Sequence, residues 1–115
     1  MRTAALTVAL ATLAFASAAD AQSGEDLLKK NGCTACHAID KKVVGPAYMD
    51  VAKKYSGEKR DAVMARLSDK VKKGGAGVWG QVPMPPNPQV SDADLKTMLT
   101  FILDLSKGGA APAKK

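Results

Sequence analysis

The side chains able to do redox or metal chemistry lie together. Gly32-Cys33-Thr34-Ala35-Cys36-His37 holds both cysteines and the only histidine of the 115-residue chain. Cys-x-x-Cys-His is the attachment signature for covalent c-type haem, in which both thiols become thioethers on the porphyrin and the adjacent imidazole ligates the iron. Two anchors three residues apart fix one edge of the macrocycle. The neighbouring imidazole then reaches an axial position with little chain entropy left to lose. Rival readings are weaker. A structural zinc site takes four protein ligands, and no further Cys or His exists to complete one. A thioredoxin-like pair is expected beside a βαβ pattern, which this chain lacks. A Cys33–Cys36 disulfide would close a tiny loop and stabilise little. The motif therefore predicts one covalent haem c, anchored at Cys33 and Cys36 and ligated by His37.

A single histidine excludes bis-histidine ligation by this polypeptide, so the sixth position is Met, another weak donor such as Lys, or empty. Met1 belongs to a leader, Met64 and Met98 fall on apolar helical faces, and Met49 follows Tyr48 in a short helix; packing is the default role of each. Met84 differs, because in Val82-Pro83-Met84-Pro85-Pro86 proline rings restrict the backbone and no helical face demands an apolar residue. It is the candidate distal ligand. A thioether is a soft donor that favours ferrous over ferric iron, and filling both axial positions keeps oxygen and peroxide off the metal. The expected product is an electron carrier rather than an enzyme. A five-coordinate haem enzyme or gas sensor, peroxidatic or binding NO or CO, is the alternative.

The elements that must position these residues read as helices. Arg2 precedes an apolar run from Ala4 to Ala16, and Ala19-Asp20-Ala21 fits a secretory cleavage site, so residues 1–21 are expected to be a removed signal peptide. The apolar run falls short of the ~20 residues that span a bilayer, and no stable membrane insertion is expected. Arg2 and Asp20 leave together, so the exported chain keeps a net charge of +6. That charge favours acidic partners. Nucleic acid is a poor partner for an exported chain whose lysines are spread along it. Residues 22–115 form one domain. Ser23 with Asp26 resembles a capping box opening a short helix that Gly32 ends, and Pro46 is placed to start a second helix through Tyr48, Val51 and Lys54. Glu58 to Lys73 carries Val63, Met64, Leu67 and Val71 at helical spacing, and Gly74-Gly75 follows. Gly77 to Pro88 is too rich in glycine and proline for a helix or central strand. Ser91 with Asp94 opens a last helix whose apolar stripe is Leu95, Met98, Leu99, Ile102 and Leu105. The tail from about residue 107 is expected to be mobile.

GCTACHAID, VVGPAY, GVWG and PMPPN, in that order and nearly at the family's spacing, resemble a small bacterial class I cytochrome c of the cytochrome c-551 type. The resemblance runs to about Leu105. It implies an all-α class I cytochrome c fold, about four helices around one covalently attached haem, with the N- and C-terminal helices crossing. Residue by residue it implies Cys33 and Cys36 as thioether anchors, His37 as proximal ligand and Met84 as distal ligand. The Pro46 carbonyl would accept from the His37 ring, the Trp79 indole would donate to a haem propionate, Lys70 would be a basic propionate partner, and Asn87 would lie near the distal sulfur. The function implied is a monomeric periplasmic one-electron carrier. Its partners would be redox proteins with acidic docking surfaces, such as a nitrite reductase or terminal oxidase, and a membrane cytochrome donor.

Overall fold

Two serines start the helices that make the main contact of the fold. In the computed structural model, which describes residues 22–107, Ser23 Oγ accepts from the Asp26 amide at 3.1 Å and opens α1 (Gly24–Lys30). Ser91 Oγ accepts from the Asp94 amide at 3.1 Å and opens α4 (Asp92–Asp104), which runs on as a 3-10 turn to Lys107. Each hydroxyl satisfies an amide with no intrahelical partner, and the acidic residues beside it complement the positive end of the helix dipole. The expected leader and most of the expected tail lie outside the described residues.

α1 and α4 cross at Gly24, where a Cβ would overlap Phe101 and lie 2.9 Å from the Thr97 carbonyl oxygen. Leu27 and Leu28 of α1 and Leu95, Met98, Leu99, Ile102 and Leu103 of α4 bury themselves along this contact. Tyr48, Ala52 and Tyr55 join them from α2 (Tyr48–Lys54) and its C-cap, and Val63 and Leu67 from α3 (Arg60–Lys73). α3 is tied to α4 near both ends, by Arg60–Asp104 at 2.8 Å and by Lys72–Asp92. Both pairs are solvent-accessible and contribute little more than alignment.

The boundaries differ from the sequence reading in two places. Pro46 does not begin α2: Ala47 is its N-cap, because the Pro46 carbonyl is turned to the His37 ring instead of to a helical amide. α3 begins at Arg60 rather than Glu58. The Glu58 amide still closes the turn after α2 on the Tyr55 carbonyl, and its carboxylate accepts from Arg66 at 2.6 Å. No strand forms among the described residues, where β-type pairing is limited to the isolated bridges His37–Lys42 and Gly75–Met84. The architecture is all-α. Its core is not closed, since Leu28, Leu67, Leu95, Met98, Leu99 and Ile102 also line a cleft of about 330 Å³.

Candidate haem site

The CTACH segment follows α1 because Gly32 takes a left-handed backbone (φ 73°), which turns the chain out of the helix without the steric penalty a side chain would bring. Cys33–Ala35 then forms a single 3-10 turn, with the Cys36 and His37 amides both donating to the Cys33 carbonyl. In 3-10 geometry residues three apart eclipse, so Cys33 and Cys36 share one side of the turn, and both line the cleft. No disulfide joins them. Before attachment, burial, with a smaller push from Cys36, would raise the Cys33 thiol above its ordinary range.

His37 is fixed from several directions. Its Nδ1 lies 2.8 Å from the Pro46 carbonyl oxygen. A carbonyl can only accept, so Nδ1 carries the proton and Nε2 keeps its lone pair, the tautomer a metal ligand requires. The Gly45 and Val44 amides both donate to the Cys36 carbonyl, at 2.7 and 3.2 Å, and bring the VVGP turn back over the imidazole. Tyr48 stacks on the imidazole with centroids 5.1 Å apart and planes 20° from parallel.

Met84 is held by its backbone. Its amide donates to the Gly75 carbonyl and the Gly75 amide donates back, both at 2.9 Å, which clamps the proline segment onto the end of α3. The Asn87 amide adds a bond to the Val71 carbonyl at 2.9 Å. Gly74 (φ 68°, ψ −155°) makes the approach possible, since a Cβ there would overlap the Met84 carbonyl and lie 2.8 Å from Pro86 N. Gly74→Ala is expected to cost about 2 kcal/mol or more through combined backbone strain and overlap. Guanidinium unfolding of the haem-loaded protein measures it, and unchanged stability would contradict the clamp.

Cys33, Cys36, His37, Pro46, Lys70, Trp79 and Met84 all line the same cleft. Asn87 does not: its side chain turns to the Pro85 carbonyl at 3.0 Å and braces the loop just after Met84. Met98 is a buried core residue, and Met49 and Met64 pack against the core, as their spacing predicts. Sequence reasoning missed Gly45, Gly74, Tyr48 and Lys54, whose ammonium lies 5.5 Å over the Trp79 ring. Only the tight VVGP and GG turns hinted at the glycines. Nothing in the sequence links Lys54 to Trp79, which sit on separate segments.

The cleft suits a flat apolar macrocycle with two axial donors. Its floor is aliphatic, an imidazole with a free lone pair and a thioether line it, and Gly45 at its wall lets the backbone approach the imidazole where a Cβ would overlap the ring. The buried Tyr48 hydroxyl has no partner among the described residues. Such a group costs stability unless something else satisfies it. These features fit a haem.

Comparison with known proteins agrees. The family model for cytochrome c matches residues 21–106. Cytochrome c-552 of Nitrosomonas europaea is 55% identical over 85 residues, covering 74% of this chain and 81% of the relative. Cytochrome c-552 of Hydrogenobacter thermophilus is 52% identical over 98 residues, covering 85% and 90%. The crystal structure of wild-type Nitrosomonas europaea cytochrome c552 superposes with a TM-score of 0.66 at 51% identity, over 71% of this chain and 99% of that one. With the CTACH turn, the cleft and the all-α frame in agreement, the chain belongs to the cytochrome c family, as a small class I c-type cytochrome of the c-551 type with one covalently attached haem c.

Proposed function

We propose that the protein is a monomeric one-electron shuttle of the periplasm, exported by a cleaved leader at residues 1–21, with residues 22–115 as the working domain. His37 and Met84 are its axial iron ligands, and Cys33 and Cys36 its thioether anchors. Bound haem supplies a ferric/ferrous couple that accepts and gives up single electrons. The observation that carries the reading is the pairing, across one cleft, of an imidazole whose Nδ1 is committed to Pro46 with a methionine pinned by its backbone to Gly75. Both donors are held by the chain's own backbone contacts, so changing the oxidation state requires little rearrangement of the chain. Among the described residues no helix is long and apolar enough to cross a membrane, in keeping with a diffusing carrier.

Transfer then occurs at the rim of the cleft. Val44, Val78, Trp79 and Val82 are exposed there, Val82 to 67%. Lys42, Lys54 and Lys70 stand among or beside them. An apolar contact with three lysines and one carboxylate, Asp50, about it suits brief docking to an acidic redox protein, such as a nitrite reductase, a terminal oxidase or a membrane cytochrome donor. Trp79 and Lys70, both lining the cleft, would be the partners of the haem propionates. The five-coordinate alternative is not favoured, because the only imidazole of the chain is committed to Pro46 and none remains for proton transfer to peroxide.

The ferric protein is expected to show the weak near-infrared sulfur-to-iron charge-transfer band of His/Met ligation, and its absence would refute Met84 as ligand. Second-order electron transfer with an acidic partner is expected to slow by about tenfold or more as ionic strength rises from 0.01 to 0.15 M, as the Debye length falls from about 30 to about 8 Å. A rate independent of salt in stopped-flow measurements would remove the lysines from the docking model.

A further inference from the structure

Three groups converge on the His37 ring, and the Pro46 carbonyl is only one of them. The bond to Nδ1 restrains the ring N–H and with it the imidazole plane, but only within the broad angular play of a hydrogen bond. The remaining tilt and rotation of the plane about the metal–nitrogen direction depend on what lies against its faces. Gly45 and Tyr48 occupy those positions. A Cβ on Gly45 would sit over the Cε1 corner, 2.8 Å from Nδ1 and 2.9 Å from Nε2, distances that place it above the ring plane rather than at its edge. Tyr48 lies nearly parallel to the ring at 5.1 Å and is itself only 5% exposed. Its place is secured by the first turn of α2 and by its amide, which donates to the Ala38 carbonyl at 2.9 Å. The Tyr48 ring is therefore a rigid wall, whereas the imidazole is a side chain that would otherwise turn.

Resting on the assignment of His37 as an axial ligand, we propose that Tyr48 is a positioning residue that sets the plane of the His37 imidazole and thereby the orientation of its π orbitals against those of the iron. The phenyl face does the positioning. The hydroxyl has no hydrogen-bond partner among the described residues and takes no part in that positioning. A rigid aromatic wall costs little entropy when the haem binds, and it resists the face-to-edge rotations an aliphatic neighbour would allow. Gly45 supports the same plane by admitting the ring closely, and any side chain there would force the imidazole to rotate or withdraw.

In low-spin ferric haem the spread and order of the paramagnetically shifted haem-methyl proton resonances depend on the axial ligand planes. This spectroscopic signature does not move with stability alone. Holo-protein carrying Tyr48→Phe is expected to keep the wild-type methyl order. Tyr48→Leu is expected to change that order or compress the spread by about half, while keeping a low-spin spectrum. An unchanged pattern in Tyr48→Leu would overturn the proposal, as would an equal change in Tyr48→Phe, which would assign the effect to the hydroxyl. Wild-type ferrous protein gives a check independent of either variant. Nuclear Overhauser contacts between the Tyr48 ring protons and the His37 Cδ2 or Cε1 protons are expected, and their absence would equally overturn it. Failure of the ligand assignment is distinguishable: His37 ring protons at ordinary imidazole positions, rather than strongly shifted by the porphyrin ring current, would show that His37 is not bound to iron.

Discussion

Met84→Ala is expected to lower the reduction potential on the order of 0.1 V, within the roughly 0.8 V range that axial ligands command, and to open the ferrous iron to carbon monoxide. The sign follows from the donor. A thioether stabilises ferrous over ferric iron, so water or an open position in its place shifts the couple towards ferric. Neighbouring sulfurs are poor substitutes, because Met98, although it lines the floor of the cleft, is a packed core residue of α4, and Met49 and Met64 are packed against the core. Met98→Leu is the matched control, a swap of similar volume expected to cost less than about 1.5 kcal/mol and to leave the spectrum unchanged. Potentiometric titration and carbon monoxide binding to dithionite-reduced protein test the pair. A wild-type potential in Met84→Ala, or carbon monoxide affinity gained only in Met98→Leu, would assign the distal position elsewhere.

A chain with both anchors removed, Cys33→Ser with Cys36→Ser, is expected to lose cooperative folding when haem is absent. The cleft of about 330 Å³ is lined by the residues that make the core. At about 24 cal/mol per Å³, leaving it unfilled costs up to about 8 kcal/mol, while an ordinary domain has only about 5–15 kcal/mol of stability. The cleft is open on one side, so water relieves part of that cost and the figure is an upper limit. Circular dichroism of the haem-free double variant is expected to show much reduced helix and a broad, non-cooperative melt. A sharp transition near that of the holoprotein would mean that the four helices hold together without the cofactor.

The helices were legible because their signals are local. Ser23 and Ser91 cap the helices their S-x-x-D spacing announces, and the stripe from Leu95 to Ile102 buries the face its period indicates. Boundaries were less legible where one backbone group had two possible uses. A proline before Ala47 reads as a helix start, yet its carbonyl is claimed by an imidazole nine residues away, and the helix waits until Tyr48. Asn87 shows the same limit for a side chain. The family resemblance places it near the distal sulfur, but the contact its side-chain amide makes with the Pro85 carbonyl, which stiffens the loop after Met84, has no mark in the sequence.

By itself the sequence determined the cofactor class, the attachment residues and the candidate ligands, because CTACH and the proline-bracketed Met84 are contiguous stretches whose chemistry needs no partner from elsewhere in the chain. Only the tertiary structure decided how those ligands are held: Gly74 and Gly75 against Met84, Gly45 and Tyr48 against His37, Lys54 over Trp79. These contacts join segments that are neighbours only after α1, α2 and α3 have packed around α4. A turn glycine or a buried tyrosine carries no mark in sequence of the ring it will face.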